Sequence, residues 1–254
     1  MILCLYAVVA TAPVPLRVAG MRNEPMTVIR AGRISGVVGR LATAPRPSSV
    51  NLRAYHQAID RLSDVVPALL PVRFGTTLQS EAEVVTLLRA RSASFRTALT
   101  RVRRRVQMTA RFVRRDLQRS DVALTTTAAS RSSGTAYLQS RASVARRLAT
   151  WEPCAELRRV ARRWIRAEVI EERDGVVSVY HLVPRAAAAS YRRAAAAGTF
   201  ATHPRVTGPF PPFAFVDPLS TSLPVAMVAA PPRQPPRIAR SASRLPSRSG
   251  ASRG

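Results

Sequence analysis

The apolar run at residues 1–10 restricts the possible folds of this chain more than any other sequence feature. It reads MILCLYAVVA and carries no charged side chain. A helix that crosses a bilayer needs about 20 apolar residues, so this run is too short to span one. A secretory signal begins with a positively charged region, and none precedes this run. We therefore predict a buried first strand. A signal peptide cleaved near the ATA at residues 10–12 is the alternative.

Positive charge dominates the composition. The 254 residues include 40 basic side chains, all Arg, against 14 acidic ones, which gives a formal net charge of +26. Arg suits phosphate and carboxylate groups, but its even spread along the chain favours a coding bias as the main cause. Hydrophobic residues make up 46% of the chain, which is enough for a core and excludes a wholly disordered protein.

Two basic runs, at residues 101–105 and 111–115, could face the phosphates of a nucleic acid. The sequence lacks zinc-finger spacing, an aromatic RNA-binding signature and a basic region that leads into a zipper. A solvated basic face is the favoured interpretation of both runs. Nucleic-acid binding, at most nonspecific, remains the alternative function.

Hydrophobic periodicity predicts a mixture of strands and helices. A hairpin is expected over 26–38, and Asn51 is expected to cap a helix whose buried stripe includes Leu52. Ser80 and Glu83 match a capping box at the start of another helix. The remaining predicted elements are a half-buried strand over 106–112, a long helix over 134–173 interrupted at Pro153, a strand over 176–183, a helix over 186–197 and an edge strand within 199–216.

This element order predicts an α+β fold with two domains. The first covers residues 1–100, and the second covers 101–216. The second domain has the order of a modified ferredoxin-like sandwich with a long helix. Residues 217–254 are rich in Pro, Ser and Arg and show no structural period, so they are predicted to be a disordered basic tail.

The sequence offers little material for a catalytic or metal site. His56, His181 and His203 are the only histidines, and each is expected to be a packed or surface residue. Cys4 and Cys154 form neither a metal motif nor a disulfide framework, and they indicate a reducing compartment.

Acidic residues are equally uninformative about chemistry. Glu168 and Glu172 are interpreted as a solvated patch near one end of the long helix. The chain is therefore not expected to be an enzyme, and we expect no cofactor, no metal, no small-molecule substrate and no membrane segment.

Four stretches, in this order, resemble the gas vesicle protein F/L family. They are LCLYAVV at 3–9; HQAIDRL at 56–62 leading into LPVRFGT at 70–76; GTAYLQSR at 134–141; and HLVPR at 181–185 followed by GPFPPFAFV at 208–216. The motif positions, taken as structural or partner-binding, are Tyr6, His56, Pro71, Arg73, Phe74, Gly75, Thr76, Gly134, Tyr137, Leu138, Arg141, Gly208, Pro209, Phe210, Pro211, Pro212, Phe213 and Phe215.

The resemblance implies an accessory or minor structural protein of gas vesicles, located in the cytoplasm and associated with the vesicle. It also implies that the partners are the gas vesicle shell protein and other gas vesicle accessory proteins. An exposed apolar surface near Phe210, Phe213 and Phe215 is expected to shield the shell subunit before it polymerises.

Overall fold

The computed structural model describes residues 1–10, 12–13, 15–113, 148 and 150–216. The predicted tail at 217–254 lies outside the described residues, and so do Gly134, Tyr137, Leu138 and Arg141. Among the described residues, no helix is long and apolar enough to cross a membrane.

The N-terminal half is built on a five-stranded sheet in the order β2-β3-β1-β4, with β5 also paired to β1. All of these pairings are antiparallel. The strands are β1 (Ile2–Val9), β2 (Met26–Ala31), β3 (Ile34–Leu41), β4 (Leu69–Pro71) and β5 (Thr77–Leu78). The predicted first strand and the predicted hairpin are both confirmed.

Helix α1 (Ser49–Val65) covers one face of this sheet. Its N-cap is Ser48, whose Oγ accepts a hydrogen bond from the Asn51 backbone N–H, so the prediction of Asn51 as the cap was wrong. Leu52 is 38% exposed and does not belong to the buried stripe, which begins at Tyr55. Leu52 lies in the first turn, where the helix extends past the sheet-facing residues.

Helices α2 (Glu81–Ala90) and α3 (Ser92–Val102) cover the other face of the first sheet. The predicted capping box is confirmed at Ser80, whose Oγ accepts from the Glu83 N–H at 3.2 Å. The Glu83 carboxylate accepts from the Gln79 N–H in return. The apolar spacing from Val84 to Val102 predicts a single helix here, but the structure breaks it at Arg91, which lies between α2 and α3.

A second antiparallel sheet has the order β7-β8-β6-β9. Helices α4 and α5 cover one of its faces. Its elements are β6 (Arg105–Val113), α4 (Glu152–Ala161), β7 (Ala167–Arg173), β8 (Val176–Pro184), α5 (Ala188–Ala197) and β9 (Arg205–Phe210). Two short 3-10 turns, Arg185–Ala187 and Phe213–Phe215, complete the described chain.

The prediction of a long helix through residue 173 was wrong, because residues 167–173 form strand β7. Asp174 and Gly175 both have positive φ, at 51° and 71°. Two such residues make the tight turn that suits a two-residue hairpin. The turn therefore folds the residues before it back onto β8. Pro153 lies in the first turn of α4, where a missing N–H costs nothing.

Strand β6 is buried on both faces along most of its length, whereas the sequence predicted a half-buried strand. Gln107 and Thr109 are buried together with their apolar neighbours. The second face of this sheet packs on the N-terminal half, where Leu182 and Phe215 join the core cluster of α2 and α3. The layers therefore run α1, first sheet, α2 with α3, second sheet, α4 with α5.

Replacing the N-cap residue of α2 tests the capping box. Ser80→Ala leaves the Glu83 N–H without its acceptor, and we expect a loss of about 1 kcal/mol in the free energy of unfolding, measured by urea denaturation. Ser94→Ala, at an exposed position inside α3, is the control and should change stability by less than about 0.5 kcal/mol. Equal losses in the two variants would contradict the cap.

Candidate functional site at the junction of the two sheets

Three rings from separate parts of the chain form an aromatic cluster on the α1 side of the first sheet. The Tyr6 and Tyr55 rings stack with centroids 5.2 Å apart, and the Phe74 ring meets Tyr55 edge-on at 5.4 Å. The Tyr55 hydroxyl donates to the Val72 carbonyl at 2.6 Å. Because Tyr55 is fully buried, this bond satisfies a polar group that would otherwise destabilise the core.

The Tyr6 hydroxyl fixes the loop that precedes β2. It donates to the Glu24 carboxylate and accepts a hydrogen bond from the Met21 N–H at 2.9 Å. Burial, reinforced by the hydrogen bond to Glu24, raises the pKa of Tyr6 far above its ordinary value. This motif residue therefore acts as a neutral hydrogen-bonding group inside the core.

The motif at 71–76 forms a wide bulge in the edge of the first sheet. β4 and β5 both pair with β1, at opposite ends of it. Pro71 is the last residue of β4, and the chain then turns at Arg73, whose carbonyl accepts from the Thr76 N–H at 3.2 Å. Gly75 has φ +82° and open space around it. The bulge places Phe74 over Tyr55, while Arg73 stays exposed.

Residues 208–216, the closing segment, run from the second sheet back to the first. Gly208, Pro209 and Phe210 finish β9, and Pro211 and Pro212 are buried. The Ala214 N–H then donates to the Gln107 side-chain carbonyl at 2.8 Å. This bond ties the closing segment to the central strand of the second sheet.

Phe213 and Phe215 enter different core clusters. The Phe213 ring lies 5.2 Å from the His56 ring on α1 and joins the cluster on that side of the first sheet. Phe215 is only 5% exposed and lies in the cluster of α2 and α3, where the Arg101 guanidinium sits 5.7 Å from its ring centroid. The closing segment thus fastens both faces of the first sheet to the second sheet.

Polar contacts hold the two sheets together nearby. Arg185, at the end of the HLVPR motif, donates to the Ser63 carbonyl and hydroxyl at 2.8 and 2.9 Å and to the Asp64 carboxylate at 3.2 Å. The Arg104 backbone donates to the Pro67 carbonyl at 2.7 Å and accepts from the Arg185 N–H at 2.9 Å. The end of α1 is therefore joined to the start of β6 and to the end of β8.

A buried polar network lies between the second sheet and its helices. His181 Nε2 is 2.8 Å from the Glu168 carboxylate, and Nδ1 is 2.8 Å from the Tyr191 hydroxyl. Arg158 Nε bonds both Glu168 oxygens at 3.0 and 2.9 Å. A carboxylate can only accept, so Nε2 carries a proton, and in the neutral ring Nδ1 accepts from Tyr191. The interpretation of Glu168 as part of a solvated patch was wrong.

The pKa of Glu168 is set by two opposing effects. Burial favours the neutral acid and would raise it, but the hydrogen bonds and charges of His181 and Arg158 outweigh burial and lower the pKa below its ordinary 4.5. Tyr191 shows the opposite shift, because burial and the Glu168 charge raise its pKa. The carboxylate is therefore ionised near neutral pH while the phenol keeps its proton.

The thiols are also protonated near neutral pH. Burial raises the pKa of Cys4 to about 12 and that of Cys154 to about 11. The thiolate is the reactive form of Cys, so both behave as small core residues. Across residues 1–113 and 148–216, as far as the structure describes them, no group of three or more His, Cys, Asp or Glu side chains could hold a metal ion.

The sequence and the overall fold of this chain match known proteins. The family model for gas vesicle synthesis protein GvpL/GvpF matches residues 3–217. The chain belongs to the GvpL/GvpF family. The resemblance carried by the four sequence stretches is thereby confirmed. No protein with a curated description matches this chain.

Two solved GvpL/GvpF structures share the fold. The gas vesicle protein GvpF of Microcystis aeruginosa superimposes with a TM-score of 0.61 at 12% identity, over 85% of this chain and 99% of that one. GvpF of Anabaena sp. PCC7120 gives a TM-score of 0.61 at 13% identity, over 85% and 98% of the two chains. At such low identity the likeness concerns the backbone arrangement alone.

The structure brings together motif residues that are far apart in sequence, but several of their partners carried no sequence signal. Tyr6 and Phe74 meet through Tyr55, and His56 meets Phe213. The alternating pattern of residues 106–112 indicated that Gln107 lies on the exposed face of its strand. The position of Tyr55 on the apolar stripe of α1 indicated burial, but its hydroxyl bond depends on where β4 ends.

The first test at this site concerns Gly208, whose φ is +114°. A Cβ at this position would lie 2.8 Å from the Gln107 carbonyl oxygen. We expect Gly208→Ala to cost about 3 kcal/mol of unfolding free energy, from backbone strain plus this clash. Gly75→Ala, with positive φ but open space, should cost about 1 kcal/mol. Urea denaturation followed by Trp fluorescence measures both, and equal losses would argue against the close approach.

The second test concerns Glu168. Its folded pKa is lowered, so the stability that it contributes is present above its unfolded pKa and disappears as the pH falls through the folded value. Glu168→Gln should cost about 2 kcal/mol near pH 7, and the difference from wild type should shrink below pH 4.5. Chemical denaturation from pH 7 to pH 3 measures the difference. The control is Glu152→Gln, at an exposed position in α4, which should change the unfolding free energy by less than about 0.5 kcal/mol at pH 7. If the difference in unfolding free energy between wild type and Glu168→Gln stays constant from pH 7 to pH 3, the stabilising role of the Glu168 carboxylate is contradicted.

Proposed function

We propose that this protein acts in gas vesicle assembly, as an accessory or minor structural protein that binds the gas vesicle shell protein and other accessory proteins. The observation that carries the proposal is the match of the GvpL/GvpF family model across residues 3–217. The gas vesicle association places the protein, on this proposal, in the cytoplasm at the vesicle.

The surface that we assign to the shell protein is an apolar strip formed by Leu52, His56, Phe210 and Phe213. Leu52 and His56 are four residues apart on α1 and therefore share one side of the helix. Phe213 packs on His56, and Phe210 is 38% exposed three residues earlier in the chain. Contiguous exposed apolar surface is typical of sites of protein contact.

The strip differs from the surface expected from the sequence. Phe215 was expected to face the shell subunit, but it is buried in the core cluster of α2 and α3. Its contribution is to hold the closing segment, whose Phe213 ring packs on His56 of α1. The shielding mechanism therefore requires two Phe residues and the first turns of α1.

The chemistry of the described side chains supports a binding role and no enzymatic one. His181 is fully buried between Glu168 and Tyr191. Since the phenol has a raised pKa and is also buried, it is a poor nucleophile that a substrate could not reach. We propose no cofactor and no small-molecule substrate for this protein.

We further propose that the chain has the two domains predicted from the sequence, with the second ferredoxin-like. The order β7-β8-β6-β9, with α4 and α5 on one face, supports this grouping. The contacts of the closing segment imply that the two domains work as one body, so a partner bound at the strip touches both.

A co-expression pull-down with a gas vesicle shell protein tests the proposed function. Wild type should retain the shell protein, and Leu52→Ser/Phe210→Ser should retain at least about tenfold less, because two apolar contacts are lost. The matched control is Val65→Ser/Val113→Ser, which changes two exposed apolar residues outside the strip.

Two results would count against the proposal in different ways. Absence of any complex between wild type and shell or accessory proteins would remove the assembly role. Retention reduced equally by the control would leave the assembly role standing but remove the strip as its contact surface.

A further inference from the structure

The turn at Pro67 and Ala68 separates two pockets that are both rimmed by Arg. One pocket, of ≈ 280 Å³, lies between the tip of the β2–β3 hairpin and helix α3; we call it the hairpin pocket. The other, of ≈ 310 Å³, lies between the end of α1 and the start of β6. Neither pocket includes a residue of the apolar strip.

The hairpin pocket combines three guanidinium groups with an apolar floor. Arg33 comes from the hairpin tip, Arg96 comes from α3, and Arg103 directly follows the last residue of α3. Arg103 is the C-cap residue of α3 and lines the same pocket as Arg96. The floor is formed by the buried side chains of Ile34, Ala68 and Leu99.

The residues of the basic run at 101–105 have different surroundings in the folded protein. Arg101 lies over the Phe215 ring, and Val102 is buried. Arg104 has a left-handed φ of +53°. Backbone bonds to Pro67 and Arg185 hold it there. Arg103 consequently lines the hairpin pocket, while Arg104 and Arg105 line the second pocket. The run is therefore more than one solvated face.

The charges in the hairpin pocket are uncompensated. Within the part of the chain that the structure describes, Arg33, Arg96 and Arg103 have no carboxylate partner. Arg40, Arg158, Arg159 and Arg185, in contrast, each pair with an acidic side chain. Three like charges around an apolar floor repel one another and attract an anion.

We propose that the hairpin pocket binds an acidic segment of a partner protein, one in which an aliphatic side chain stands between carboxylates. The aliphatic side chain would cover Leu99 and its neighbours, and the carboxylates would meet the three guanidinium groups, whose planar forks suit carboxylate geometry. The volume accommodates one or two side chains of such a segment.

Two other occupants fit less well. Single-stranded nucleic acid binds by stacking bases on aromatic rings, and among the described residues that line the two pockets none is aromatic. The chain's own residues 217–254 carry six Arg and a single acidic residue, Asp217. The tail is therefore repelled by the pocket.

The hairpin pocket is independent of the proposed shell-protein contact. Helix α1, which carries the apolar strip, and helix α3, which forms the pocket, pack on opposite faces of the first sheet. Loss of one contact therefore leaves the other in place, and the two proposals fail separately.

Fluorescence anisotropy with short labelled peptides on the full-length protein tests the inference. The probe is the peptide EELEE, compared with QQLQQ, EEGEE and a thymidine oligonucleotide of equal charge. The pocket variant is Arg33→Gln/Arg96→Gln/Arg103→Gln. The matched control, Arg53→Gln/Arg111→Gln/Arg205→Gln, removes three exposed charges outside both pockets.

EELEE should bind wild type more tightly than the other three probes. Its affinity should fall about tenfold or more in the pocket variant and less than about twofold in the control, as expected for three partly desolvated ion pairs. Circular dichroism checks that each variant folds. If the triple variant does not fold, Arg96→Gln alone replaces it, and its affinity for EELEE should fall about threefold.

Three outcomes would overturn the inference. Equal losses of affinity in the pocket variant and the control would show that binding depends on net charge alone. Equal binding of EELEE and EEGEE would remove the role of the apolar floor. Tighter binding of the oligonucleotide, lost in the pocket variant, would assign the site to nucleic acid.

Discussion

The arrangement of the whole molecule depends on a strand that is apolar on both faces. In β1 the pairing register with β3 shifts between Leu5 and Ala7, and the shift reverses which side chains face which layer. Leu3, Leu5 and Val8 face α2 and α3, whereas Cys4 and Tyr6 face α1. A strand with two apolar faces must be covered from both sides. The first sheet is therefore an inner layer.

Covering the second face brings the two sheets together. Helices α2 and α3 share this face with the second sheet, because Leu182 of β8 and Phe215 of the closing segment belong to the same core cluster. The buried side chains of β6 follow from this, since its second face becomes an internal surface. The bond from Ala214 to Gln107 then satisfies a polar side chain that this packing has removed from water.

Local signals predicted the parts of the fold that depend on neighbours in sequence. The apolar run predicted β1, and the Ser80–Glu83 spacing predicted the start of α2. The prediction failed for residues 167–173. Their pattern of charged and branched residues is compatible with a strand or a helix, and the pairing with β8 decides for a strand. The site was less predictable. The motif pointed to Gly208 and Phe215 but not to their roles. Gly208 lies close to the Gln107 carbonyl, and Phe215 belongs to the core cluster of α2 and α3. Both contacts join residues that are far apart in sequence.

Net charge alone says little about function, because the fold decides which Arg side chains are neutralised. Arg158 and Arg185 are paired by acidic residues and serve as structural links. Arg33, Arg96 and Arg103 converge from a hairpin and a helix on an apolar floor. The two contacts that we propose lie on opposite faces of the first sheet, one apolar and one charged. Partners linked in one assembly would strengthen both contacts, because the second would form at high effective concentration.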